Sequence, residues 1–257
     1  MSIEEFNSAA RSGVRSMVLA LAHGALIHED FVTALEEYDW VLTQPDISDQ
    51  DRAHALMGRA NCLSAQGDDA QAIVAYTQAI EVEGIEAEEQ ARTLFNRALC
   101  FNRSGRVQEM VDDYTRLLQM DDAPTDIKTK ALFNRAVFFG EQEQHQEAIE
   151  DYTRMIEMAE TDASLLVEAL QNRGAAWMQQ KQFERAIEDF TRIVQLPDVP
   201  APDKAQALLG RAYCDGEQGN TREAIVGYTR VSALPGATSQ QKQYARASRD
   251  HQKKKRG

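Results

Sequence analysis

From Ala131 to Ile156 the chain carries two apolar stripes at helical spacing. Leu132, Ala136 and Phe139 fall on one face of a first helix, and Ala148, Ile149, Tyr152 and Ile156 on one face of a second. The polar stretch from Gln142 to Gln146 separates them, and the same stretch elsewhere carries Gly67, Gly105 or Gly219. Glycine there suits the left-handed residue that ends a helix, so the pattern predicts a helix hairpin. The unit recurs. Tyr38, Tyr76, Tyr114, Tyr152, Phe190 and Tyr228 lie 38 positions apart, and Arg59, Arg97, Arg135, Arg173 and Arg211 keep the same beat. Ala22, Ala60, Ala98, Ala136, Gly174 and Ala212 share one small-residue slot, and Ala34, Ala72, Ala148, Ala186 and Ala224 share another. Short side chains at such slots let helices approach closely. Met110 interrupts the second series, which predicts a splayed or repacked hairpin in that copy.

Six copies of one unit predict an all-α fold, an α-solenoid of six tandem antiparallel helix hairpins in which each copy buries its apolar face on its neighbours. The expected boundaries are about 15–52, 53–90, 91–128, 129–166, 167–204 and 205–238. Residues 1–14 form an N-terminal segment, with a short leading helix over 3–13 begun by a Ser2 and Glu5 capping box. Residues 239–257 read as a C-terminal capping helix with a basic tail, which solvates the end of the array. Ser48, Thr125, Asp162 and Ser239 are the candidate N-caps for the helices that follow them.

The run Leu94-x-x-Arg97-Ala98-x-x-Phe101, repeated over residues 15–238, resembles the tetratricopeptide repeat. That family's unit is typically about 34 residues, so four are added here to each copy, lengthening the first helix and its connection. The resemblance implies a right-handed superhelix whose first helices line a concave groove for an extended peptide or a partner helix. Carried over slot by slot, the groove residues are His54, Met57 and Asn61; Arg92, Phe95, Leu99 and Arg103; Lys130, Phe133, Val137 and Glu141; then Gln171, Met178, Leu209 and Tyr213. The chief candidates are Met57, Asn61, Arg92, Phe95, Leu99, Arg103, Lys130, Phe133, Val137 and Tyr213. Apolar anchors ringed by Arg92, Arg103 and Lys130 suit an amphipathic segment carrying some acidic residues. The clamp with which some relatives grip a chaperone's terminal carboxylate is matched only in part. Asn61, Asn96 and Lys130 fit it, but Met57 and Asn134 stand where a lysine and an arginine belong.

The arginine series replaces a leucine of the family pattern, and only Leu21 keeps it. A half-buried arginine needs a carboxylate, since stranding a buried charge costs about 3–5 kcal/mol. Two pairings are open. Within a repeat, Arg97 meets Asp113, Arg135 meets Asp151 and Arg173 meets Asp189. With the preceding repeat, Arg59 meets Glu37, Arg135 meets Asp113, Arg173 meets Asp151 and Arg211 meets Asp189. The second is favoured because it leaves only Arg97 without an acid and explains Leu21, which has no copy before it.

Composition adds limits. A net charge of −13 disfavours nucleic acid as a partner, because phosphate binding needs a basic surface. The run Lys253 to Arg256 is too small a basic spot to change that. Cys62, Cys100 and Cys214 occupy one slot, shared with Gly24, Phe138 and Ala176, so they read as packing residues in a reducing, cytoplasmic setting. No apolar run approaches the roughly 18–20 residues of a membrane span. His23, His28, His54, His145 and His251 lack metal-ligand spacing, and no nucleophile or phosphate-loop motif is present. The sequence therefore predicts a non-catalytic scaffold for a protein or peptide, monomeric or weakly self-associating, with no metal or cofactor. A self-associating structural array and an enzyme assembled across repeats are the alternatives.

Overall fold

In a computed structural model, the described residues are 3–158 and 162–256, and they form thirteen α-helices and no strand. First helices are α1 (Ile3–Ile27), α3 (Asp49–Ala65), α5 (Ala87–Arg103), α7 (Thr125–Glu141), α9 (Ala163–Gln179) and α11 (Ala201–Glu217). Second helices are α2 (Phe31–Leu42), α4 (Asp69–Ile80), α6 (Val107–Leu118), α8 (His145–Glu157), α10 (Phe183–Gln195) and α12 (Thr221–Ala233). A last helix, α13 (Ser239–Arg256), follows them. Two compact units divide the chain, residues 1–131 and 132–257, with α7 crossing the boundary. In the first unit α1 packs on α2, α2 on α3, and so on to α6; in the second the same succession runs from α8 to α13.

The aromatic slot explains why the hairpins close. Tyr38, Tyr76, Tyr114, Tyr152, Phe190 and Tyr228 are all buried, none more than 3% exposed. Their rings set how near the following first helix can come. A Cβ on Gly58 would stand 2.2 Å from the Tyr38 ring, and one on Gly210 would stand 2.7 Å from Phe190. Met110 is 1% exposed, so the residue that breaks the alanine series is absorbed into the core of its hairpin.

Each turn between first and second helix passes through one left-handed residue. Gly67, Gly105 and Gly219 have φ of 83°, 69° and 83°, while Glu29, Glu143 and Lys181 adopt φ of 60°, 60° and 58° at the same slot. The other boundary is set by caps. Ser48 accepts from the Asp51 amide at 3.1 Å, and Asp162 accepts from the Ser164 and Leu165 amides. Two expected caps sit one residue too late. Thr125 and Ser239 are the first residues of α7 and α13. The cap of α13 is Thr238, whose hydroxyl accepts from the Gln241 amide while the Gln241 side chain accepts from the Thr238 amide. That reciprocal pair satisfies two amides that the helix itself cannot.

First helices α3 to α11 are 17 residues long and second helices 12 or 13, so the first helix is the longer of each pair. The exception is α1, at 25 residues. It runs unbroken through residue 14, so the separate leading helix expected over 3–13 is instead the start of α1. Ser2 lies outside the described residues, and the capping box expected there with it.

Candidate functional site

The arginine series is settled by hairpin geometry. Arg97 lies six residues before the end of α5 and Asp113 six after the start of α6, so the two stand level in the antiparallel pair. The same count places Arg135 level with Asp151 and Arg173 level with Asp189. Each guanidinium grips its aspartate bidentately: Nε and Nη2 of Arg97 reach Asp113 at 2.8 and 2.6 Å, those of Arg135 reach Asp151 at 2.7 and 2.7 Å, and those of Arg173 reach Asp189 at 2.9 and 2.6 Å. These pairs are within a hairpin, which corrects the expected pairing of Arg135 with Asp113, Arg173 with Asp151 and Arg211 with Asp189. Glu37 is not the partner of Arg59 either. With Ala75 at the level position of α4, Arg59 turns to Asp39 of the preceding hairpin at 2.7 Å. Arg211, opposite Gly227, has Asp215 one turn along its own helix and draws down that carboxyl's affinity for protons, against the stronger upward push of burial.

A link between hairpins survives in another form. The third guanidinium nitrogen of Arg97 donates to the Thr77 hydroxyl at 2.8 Å, and that of Arg173 donates to Thr153 at 2.9 Å. Each threonine belongs to the hairpin before. Burial pushes the Asp189 carboxyl above its ordinary range, against the opposing pull of Arg173. These aspartates hold packing in register and are not exposed to any substrate.

The candidate surface residues of the first unit are mostly engaged. Met57 and Leu99 are half-buried. Asn61 accepts from the Tyr76 hydroxyl at 2.6 Å and from the Asn96 amide at 3.1 Å. Phe95 is half-buried and its ring meets Tyr114 at 5.9 Å. The basic residues are compensated. Arg92 pairs with Glu88 on its own helix, Lys130 with Asp126, and Arg103 with Asp69 and the Ser64 hydroxyl of the preceding hairpin. Arg92 and Lys130 keep exposed partners on their own helices and Arg103 a carboxylate of its neighbour, so an acidic segment bound here exchanges with those acids.

In the second unit, Phe133 meets Tyr152 at 6.1 Å and Val137 lines a shallow cleft with His145 and Gln179. A larger cleft, about 650 Å³, lies between the first helices and α13. Met178 of α9 and Gln206, Leu209, Gly210 and Tyr213 of α11 form one wall, and Thr238, Gln240, Gln241 and Tyr244 the other. Tyr213 and Tyr244 are 39% and 51% exposed, unlike the buried aromatics of the repeat slot. Met178, Leu209 and Tyr213 were expected on this side. Tyr244 was not, although the sequence held the signal. Counting on by 38 from His54, Arg92 and Lys130 through Glu168 and Gln206 arrives at Tyr244, so α13 presents the slot of a further first helix.

Burial pushes the Cys62 thiol up to about 11 and the Cys214 thiol up to about 12, and all three cysteines are buried and unpaired. Thiols so shifted are inert packing groups at neutral pH. Among the described residues, no helix is long and apolar enough to cross a membrane.

A left-handed turn between paired helices, a buried aromatic on each second helix and a recurring succession of hairpins define an α-solenoid repeat protein. Models of the tetratricopeptide repeat match residues 19–88 and 129–162. The C-terminal part of a tetratricopeptide repeat-containing protein from Cytophaga hutchinsonii superposes with a TM-score of 0.65 at 14% identity, covering 83% of this chain and 77% of that one. YrrB, described as a tetratricopeptide protein with an unusual peptide-binding site, gives 0.62 at 16% identity, covering 83% of this chain and 100% of its own. BtubC from P. vanneervenii gives 0.58 at 15%, with 85% and 90% covered. Curated proteins contain no match to the sequence. The two matched segments carry tetratricopeptide repeats, and these solved structures share the fold of this chain.

Proposed function

We propose that this protein is a non-catalytic scaffold that takes up a peptide or helical segment of a partner protein, with the cleft between α9, α11 and α13 as its anchor point. The observation that carries this is the pair of exposed tyrosines, Tyr213 and Tyr244, facing a cleft of about 650 Å³ whose floor includes Met178 and Leu209. Exposed aromatic side chains beside a recess of mixed apolar and amide lining are the material of binding hot spots. Gln206, Gln240 and Gln241 supply those amides and carry no charge, so the fitting segment presents an apolar or aromatic anchor flanked by backbone polar groups. Tetratricopeptide proteins in general serve protein–protein interaction, and YrrB is described as binding a peptide. The three buried thiols fit a reducing, cytoplasmic compartment.

Selection of random peptides displayed against the pure protein tests this. Wild type is expected to enrich segments with a spaced aromatic or aliphatic anchor. Tyr213→Ser/Tyr244→Ser is expected to lose at least tenfold in affinity for them, with an unchanged circular dichroism spectrum, since both side chains stand at the surface. Equal binding by the variant rejects the cleft, and a turnover activity in the pure protein rejects the scaffold.

A further inference from the structure

The first helix is apolar well beyond the face it buries. Val18, Leu19 and Ala22 are buried against α2 and α3, yet Val14, Met17 and Leu21 beside them are 45%, 60% and 58% exposed. Around them lie Gly13, Ala20 and Gly24; Ala20 is exposed, and neither glycine has any atom within 4 Å of where a Cβ would stand. No Asp, Glu, Lys or Arg falls on this face, in a chain that is 27% charged and carries a net −13.

In later copies this face is the one that stacks. The slot of Met17 holds Ala55, Thr93, Ala131, Ala169 and Ala207, every one of them 0% exposed. The slot of Leu21 holds the arginine series. Regular stacking of another hairpin on α1 is therefore blocked, because the contact leaves room for alanine or threonine where α1 has methionine. A head-to-tail continuation of the repeat does not fit.

We propose that this face is a homodimer interface, in which α1 of one copy lies antiparallel on α1 of a second about a two-fold axis at Met17. The sequence of large and small residues along the face carries the choice of occupant. A two-fold centred on residue 17 sets Leu21 of each copy over Gly13 of the other and Val14 over Ala20. It also brings the two flexible Met17 side chains together at the centre, where a thioether adapts to its own image. Large meets small at each step, which is the self-complementarity that an isologous contact requires. An uncharged strip also lets two bodies of the same sign meet without opposing charges like to like. The strip from Gly13 to Gly24 runs only about 17 Å along the helix and is about 10 Å wide, which places the dimer in the weak, reversible class. This inference does not depend on the peptide cleft, which is built from other helices.

Sedimentation of the full chain over roughly 1 μM to 1 mM reads it out. Wild type is expected to rise from 28.8 kDa toward twice that mass. Met17→Glu is expected to raise the dissociation constant at least tenfold while leaving the peptide affinity of the cleft unchanged. Met17→Cys, in a chain whose native cysteines are buried, is expected to form an intermolecular disulfide under mild oxidation, and Leu21→Cys is expected not to. A wild type monomeric throughout overturns the proposal. So does a dimer that Met17→Glu leaves intact, or equal cross-linking at both positions, which would mean a parallel pairing. A monomer that instead partitions onto lipid vesicles through this face overturns it in favour of a membrane surface.

Discussion

The guanidinium groups of Arg97 and Arg173 are each shared between an aspartate of their own hairpin and a threonine of the one before. Little water reaches them: the side chains of Arg97 and Asp113 are 13% and 7% exposed, against 27% and 55% for Arg59 and Asp39. At Asp189 burial raises the carboxyl more than Arg173 lowers it. A pair of this kind contributes register more than net stability, but losing one partner strands the other. Asp189→Ala is expected to cost about 3–5 kcal/mol, and the double replacement Arg173→Met/Asp189→Leu much less, about 1 kcal/mol or below. Arg59→Ala is expected to cost under about 1 kcal/mol. Denaturant midpoints of the single and double variants decide it, and an Asp189→Ala as mild as Arg59→Ala would sink the clamp. A second residue-scale prediction concerns Lys181, held at φ 58° where other copies use glycine. Lys181→Gly is expected to gain about 0.5–1 kcal/mol, the relief of a left-handed side chain less the entropy glycine adds to the unfolded chain. A lower melting temperature would contradict it.

Helix ends decide how one element hands over to the next. The Thr238 and Gln241 box starts α13, and Gln241 also donates to the Pro202 carbonyl at 2.8 Å, tying the new helix to the start of α11. Thr238→Ala is expected to cost about 1 kcal/mol. Because contacts in a repeat array reach only neighbouring units, the loss should stay local. Amide exchange is the measurement: protection should fall along α13 and remain unchanged in α3 and α4. A uniform loss over the chain would refute local coupling. The same end effects explain the misplaced caps at Thr125 and Ser239, where a side chain of the right type stood one residue inside the helix. Residue type alone marks the neighbourhood of a helix start, and the backbone turn picks the position.

For the molecule as a whole, repetition makes stability close to a sum of unit and interface terms. Asp113→Ala and Asp189→Ala share no partner, so their costs are expected to add to within about 0.5 kcal/mol, measured in the double variant. Much of the fold was legible beforehand. The aromatic beat, the small-residue slots and the glycine turns each state a local steric need, and a need that recurs in every copy can be read without coordinates. The arginine partners were not legible from acid counts, because both candidate acids sit one residue before an aromatic. Measuring height from the turn, six residues on either strand of the hairpin, would have chosen correctly. Of the candidate surface residues, slot transfer brought Met178, Leu209 and Tyr213 to the cleft beside α13, while contacts such as Phe95 with Tyr114 and Arg103 with Asp69 needed coordinates.

By itself, then, the chain's 38-residue rhythm determined the class of fold, the hairpin unit and the residues that must be small or aromatic, because these follow from local geometry repeated without slip. Tertiary structure alone decided which acid each arginine holds, that α13 brings Tyr244 to the cleft, and that Met17 and Leu21 face outward on α1. Those outcomes depend on what lies across from a residue in space, and a face that is buried in one copy is bare in another for want of a neighbour.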